Sequence, residues 1–103
     1  MNLLYNSYYF ASYQCDRSRS FYIDFGHKQV KLSFCQLLAL RQKVLSIDIS
    51  THFDKNQNYN GIEIISLCNR EHLFVFDTLQ ILDLKELLTA TFGVFELNSL
   101  VAH

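Results

Sequence analysis

The 103-residue sequence is half apolar, with 18% charged residues and a formal net charge of −1. That balance excludes an intrinsically disordered chain and argues against the strongly basic surface that nucleic acid or an anionic membrane selects. The length fits one domain, residues 1–103, with a single core and little stability in reserve.

Fifteen aromatic residues, six Tyr and nine Phe, together with the many leucines exceed what so small an interior can hide. An exposed apolar patch is therefore expected, most simply a homodimer interface, with another protein as the alternative occupant. Charge is uneven along the chain: residues 1–50 sum to +3 and the remainder to −4, so opposite halves could meet across a dimer. Three cysteines, Cys15, Cys35 and Cys68, are an odd number, which argues against a disulfide framework and for the reducing cytoplasm. The stretch MNLLYNSYYFASYQC lacks the cationic start and continuous apolar core of a signal peptide, and no run approaches the roughly 20 apolar residues of a membrane span.

In chain order, Leu3 to Tyr13 is rich in aromatic residues and uncharged, and the alternation of Tyr9, Ala11 and Tyr13 with Tyr8, Phe10 and Ser12 predicts a strand over Ser7–Tyr13. Its tyrosines suit a half-buried sheet, or a stacking surface for a base or sugar. Cys15–Ser20 is polar and turn-like. Phe21, Ile23 and Phe25 then alternate with Tyr22 and Asp24, Gly26 and His27 form a turn, and Lys28–Leu32 returns with Val30 and Leu32 on one face. That hairpin feeds a helix opened by Ser33 and running to about Ser46, with Phe34, Leu37, Leu38, Val44 and Leu45 on its apolar face and Leu40 at the margin. Ser50–Asn60 carries no aliphatic residue and reads as the one long loop, connecting the halves.

The same unit is then written again. A shift of 44 positions aligns Gln36 with Gln80, Leu38 with Leu82, Leu40 with Leu84 and Arg41 with Lys85, and carries Val30 and Leu32 onto Phe74 and Phe76 and Phe21 and Ile23 onto Ile65 and Leu67. Ser33 and Asp77 each precede a glutamine by three residues, the spacing of a capping box. The expected fold is α+β: a duplicated ββα unit, approximately 21–46 and 62–92, forming an antiparallel sheet of four or five strands with two helices on one face. Leu79, Ile81, Leu82, Leu84, Leu87 and Leu88 spread around the second helix and imply more than one neighbour, while Gly93 is a candidate stop before a helical extension ending near Leu97.

No catalytic constellation is legible, and no cofactor is called for. Cys68 and His72 at the second hairpin turn, with Cys15 and His27 around the first, are the candidate metal ligands, because thiolate and imidazole suit zinc or iron if the two turns lie side by side. No Cys-x₂₋₄-Cys pair accompanies them. Cys35 stands in the first turn of a helix, where the macrodipole can activate a thiol, although a small cysteine beside an apolar face more commonly fills core space. His52 and His103 read as solvated, Asp77 as a helix cap, and Asp83 with Glu86 as a solubilising pair on the exposed side of the second helix. Glu63 and Glu71 form no acid/base pair, and neither a Gly-rich phosphate loop nor a Ser-His-Asp pattern is present. Arg17, Arg19, Lys28 and Lys31 beside tyrosines are the residues a weak nucleic-acid binder would use.

The run from Cys15 to Gly26, C-x-x-S-R-S-F-x-x-x-F-G, followed by alternating apolar residues and a helix opened at Ser33, resembles a family of short uncharacterised bacterial proteins, mostly from Bacteroidetes. That family reads C-x-x-C-G-x-I-x-x-x-F-G before a strand and a capped helix with an early phenylalanine. Cys15, Phe21, Phe25, Gly26, Ser33 and Phe34 match, while Ser18 and Arg19 stand where the second cysteine and the glycine would be. The resemblance covers about 25 positions and implies a cytosolic protein of this fold, without an assigned activity. The leading expectation is thus a non-enzymatic, self-associating interaction domain, with a small-ligand or metal-binding module at the hairpin turns and a weak nucleic-acid binder as alternatives.

Overall fold

The computed structural model describes residues 1–50, 61–67 and 71–101. Strands β1 (Asn2–Asn6), β2 (Ala11–Cys15), β3 (Ser20–Asp24) and β4 (Gln29–Leu32) form an antiparallel meander in the order β1-β2-β3-β4. Helix α1 (Phe34–Leu45) follows, then a two-stranded sheet of β5 (Ile62–Leu67) and β6 (His72–Asp77), and last α2 (Thr78–Val101). The protein is α+β, with a four-stranded antiparallel sheet as expected, but all four strands come from the first 32 residues, and the second hairpin makes a sheet of its own. The loop expected over Ser50–Asn60, with His52, lies beyond Ser50 outside the described residues, as do Cys68, Asn69, Arg70 and His103.

Both capping boxes form. Ser33 Oγ accepts from the Gln36 amide at 3.1 Å while Gln36 Oε1 accepts from the Ser33 amide at 2.9 Å, and Asp77 with Gln80 repeats the exchange at 2.8 and 3.0 Å. Each cap contributes about 1 kcal/mol. On α1 the buried residues are Leu37, Leu40 and Val44, so Leu40 is central rather than marginal, and Phe34 and Leu45 are exposed. Helix α2 runs through Gly93 without a break, since one glycine costs about 1 kcal/mol in a helix held by tertiary packing.

One face of the meander carries Ser12, Phe21, Ile23, Val30 and Leu32, and both helices lie on it: α1 over β3 and β4, α2 over β1 and β2. Phe21 touches both, its ring 6.1 Å from Phe34 of α1 and 5.3 Å from Phe95 of α2. The opposite face presents Leu3, Tyr13, Tyr22 and Lys31 in one cross-strand row. The second hairpin joins the core through aromatic contacts at one end of the meander, where Phe25 lies 4.3 Å from Phe74 and Phe10 lies 5.6 Å from Phe76. Ile65, Leu67, Phe74 and Phe76 thereby enter the same core as Phe21, Ile23, Val30 and Leu32.

The element order hairpin then capped helix occurs twice, but strand pairing does not follow the 44-residue shift. Ile23 pairs with Val30, and Ile65 pairs with Phe74, so pairing places Ile65 in the position of Ile23 rather than of Phe21. The two hairpins differ by two residues between their paired strands, an even number that leaves each inward set facing inward.

The expected strand over Ser7–Tyr13 divides differently. Ser7–Phe10 is a turn between β1 and β2, closed by the Ser7 amide donating to the Phe10 carbonyl at 2.8 Å. Period-two alternation continues through the turn by coincidence, because three consecutive aromatic residues, Tyr8, Tyr9 and Phe10, stand there with no glycine or proline to mark it.

Candidate functional site

Asp83 accepts three hydrogen bonds from one turn of the chain. It belongs to a row one helical turn apart, Asp83, Leu87 and Thr91, all buried on α2, and is only 9% exposed rather than solubilising. Its carboxylate reaches back to the turn between β1 and β2. Oδ2 accepts from Ser7 Oγ at 2.6 Å and from the Tyr9 amide at 2.9 Å, and Oδ1 accepts from the Tyr8 amide at 3.1 Å. Consecutive amides aimed at one carboxylate are the strong, charge-assisted form of hydrogen bond. The turn is thus fixed to α2 across 74 to 76 residues of sequence.

Fixing the backbone leaves the side chains outside. Tyr8 is 85% exposed and Tyr9 40%, with ring centroids 4.7 Å apart at 86°. With Leu79, Leu82, Asp83 and Glu86 they line an open groove of about 410 Å³. Leu79 and Leu82 are both exposed, so the broad apolar circumference of α2 reaches past the core into this groove. The spacing of Asp83 to Leu87 and Thr91 was the available sequence signal for its burial. The turn it holds could be found only in three dimensions.

A second apolar surface lies on the other hairpin. Ile64 pairs with Val75, Ile62 with Asp77 and Ser66 with Leu73, and all six point away from the core. Ile64 and Leu73 are each 66% exposed, and Ile62 and Val75 about half exposed. Lys43 of α1 borders this surface, its Nζ donating to the Ser66 carbonyl at 2.9 Å.

The candidate metal ligands are dispersed where they can be placed. Cys15 ends β2 opposite Ser20, whereas His27 is exposed in the β3–β4 turn at the far end of β3, its ring 5.9 Å from that of Phe74. His72 begins β6 with its Nδ1 buried and without a hydrogen-bond partner among the described residues. Among the described residues no group of three or more His, Cys, Asp or Glu side chains could hold a metal ion, and Cys68 lies outside them. Cys35 is exposed rather than core-filling, and no disulfide joins it to Cys15.

Of the two described thiols, Cys15 has the more polar surroundings. Hydrogen bonds from the Ser18 hydroxyl, then from the Ser18 and Arg17 amides, favour its thiolate and hold it below the usual thiol range. Of the basic residues named above, Lys28 lies over the Phe74 ring at 5.9 Å, and Lys31 ends the Leu3, Tyr13, Tyr22 row on the outer face of the meander. Arg41 is packed on Phe92, its guanidinium carbon 4.6 Å from the ring centroid.

No family model, curated protein or solved structure matches this chain. No helix of the described residues is long and apolar enough to cross a membrane.

Proposed function

We propose that this protein is a non-enzymatic interaction domain that associates with a second copy of itself through the outer face of the β5–β6 hairpin. The observation that carries this reading is the group Ile62, Ile64, Leu73 and Val75, four aliphatic side chains on the solvent side of a two-stranded sheet whose other side is already in the core. A sheet with one face in water normally alternates apolar with polar residues, and a two-stranded hairpin is marginal unless covered. Two copies meeting face to face bury these residues, and a two-fold axis running across the strands would bring the Lys43 end of one hairpin towards the Asp77 end of the other.

Sedimentation velocity at micromolar concentration tests this. A dimer is expected for the native chain, and a folded monomer for Ile64→Lys, whose change falls on an exposed residue and leaves the core intact. A native chain that sediments as a monomer up to about 100 μM sinks the proposal, since dissociation that weak corresponds to less than about 5.5 kcal/mol.

The odd cysteine count and the free thiols of Cys15 and Cys35 support a cytoplasmic setting. The resemblance to the short bacterial family gains support from Arg19, which holds a left-handed φ of 50° at the position where that family's motif has glycine. A weak nucleic-acid surface is the second reading, favoured by Tyr13 and Tyr22 paired beside Lys31 on the outer sheet face. Retention of the protein on an oligonucleotide column that vanishes in Tyr22→Ala would support it.

A further inference from the structure

The groove beside the Ser7–Phe10 turn lies on a different surface from the β5–β6 face and has a different chemistry. We infer that it is a docking site for a basic segment of a partner protein, in which one lysine or arginine side chain lies along Tyr8, Tyr9, Leu79 and Leu82 with its charge toward Glu86 and Asp83.

Three observations converge. The groove is lined by two aromatic rings, two exposed leucines and two carboxylates, with no Lys or Arg among its lining residues. Neither Asp83 nor Glu86 makes an ion pair with another described residue. Aromatic faces and carboxylates are attractive to the same sign of charge, so the site selects a cation on both counts and repels phosphate or carboxylate ligands. A purely apolar occupant would strip water from Glu86 and return nothing for it. A lysine or arginine supplies both parts: an aliphatic stem for the leucines and a charged head for the acids.

The second observation is rigidity. The turn is held by the Ser7 amide on the Phe10 carbonyl and by three hydrogen bonds to one buried carboxylate. The backbone that carries the Tyr8 ring, itself 85% exposed, is therefore ordered before any partner arrives, and binding has only the side chain left to order. Exposed aromatics on a preorganised backbone serve as anchors in protein interfaces. The third is the near-perpendicular arrangement of Tyr8 and Tyr9, 86° between planes, which makes a corner rather than a flat stack. A corner can contact one cation from two sides, as the aromatic sites for alkylated ammonium groups do. The open shape decides the class of ligand: a small molecule gains affinity by being mostly enclosed, whereas a side chain carried on a peptide needs only one buried end.

The experiment is an NMR titration of the full chain with N-acetyl-lysine methylamide and N-acetyl-arginine methylamide, read at the Tyr8, Tyr9 and Leu82 amides. N-acetyl-norleucine methylamide, which keeps the four-carbon stem of lysine without its ammonium, and the N-acetyl-glutamate analogue serve as controls. The cationic probes should give saturable shifts in the millimolar range, with norleucine about tenfold weaker and glutamate without effect. Tyr8→Ala and Glu86→Gln should each weaken the cation by about two- to fivefold, and Tyr8→Phe should restore it. Both positions are exposed, and Tyr8 bonds to Asp83 through its backbone, so these variants keep the fold. Equal response to norleucine, absence of saturable shifts, or indifference to both substitutions overturns the proposal. So does a shift of these amides with protein concentration alone, which would assign the groove to a second copy. Because Ile64→Lys leaves the groove intact, the titration repeated in that variant separates failure of this site from failure of the dimer.

Discussion

Replacing Thr91 with valine removes one oxygen from a sealed position and should destabilise the protein more than its size suggests. Ser12 of β2 and Thr91 of α2 are both buried, with hydroxyl oxygens 2.7 Å apart. Thr91 Oγ1 also lies 2.7 Å from the Leu87 carbonyl, which can only accept, so the single Thr91 proton goes there and Ser12 must donate to Thr91. Thr91→Val therefore strands the Ser12 hydroxyl in the core, at a cost of about 1–3 kcal/mol. Ser12→Ala leaves Thr91 its bond to Leu87 and costs less, about 0.5–1.5 kcal/mol. In the double variant no orphan remains, so its loss should fall short of the sum of the singles by about 1 kcal/mol. Urea unfolding followed by far-ultraviolet circular dichroism, at one fixed protein concentration, measures all four corners, and the slope with denaturant should not change. For a domain of this length each kcal/mol moves Tm by about 4–8 °C. Losses that add to within about 0.3 kcal/mol, or a neutral Thr91→Val, would refute the assignment of donor and acceptor.

Asp83→Ala should cost about 2–4 kcal/mol in the same assay, since three hydrogen bonds to a carboxylate are lost together; a loss below about 0.5 kcal/mol would mean that the turn holds itself. In a Cys35→Ser, Cys68→Ser background, the rate of Cys15 alkylation by iodoacetamide should rise at lower pH than for an ordinary thiol, because donors facing the sulfur favour the thiolate. Ser18→Ala, which removes the largest of those influences, should move that profile to higher pH, and an unmoved profile would exclude Ser18 as its cause. Arg19→Gly should stabilise the protein by about 0.5–1 kcal/mol in thermal melts, since φ at this position is 50°, and a destabilisation would show that the Arg19 side chain makes up for its backbone.

The candidate sites were legible to very different degrees. Cys15, His27 and His72 drew attention as ligand types, but a ligand set is a matter of distance, and the length of β3 separates the first two. Asp83 was read as solvent-facing because Glu86 stands one turn on in the same charged run, yet Glu86 is exposed while Asp83 is covered by the Ser7–Phe10 turn. The Ser7–Phe10 turn was hidden because no glycine or proline marks it and the carboxylate that anchors it, that of Asp83, lies 74 to 76 residues beyond the groups it holds.

The order of residues alone determined both capped helices and both hairpins that precede them, because a cap is made within four residues and strand alternation within six, so neighbouring side chains carry the whole signal. It also determined that apolar surface would exceed the interior. Only the tertiary structure decided where the excess lies, on the outer face of β5–β6 and in the Tyr8–Leu82 groove among other places. It likewise decided that the second hairpin stands apart from the meander and that Asp83 belongs to the inside. The physical reason is that alternation states which residues share a face, while burial of that face depends on what the remainder of the chain brings against it.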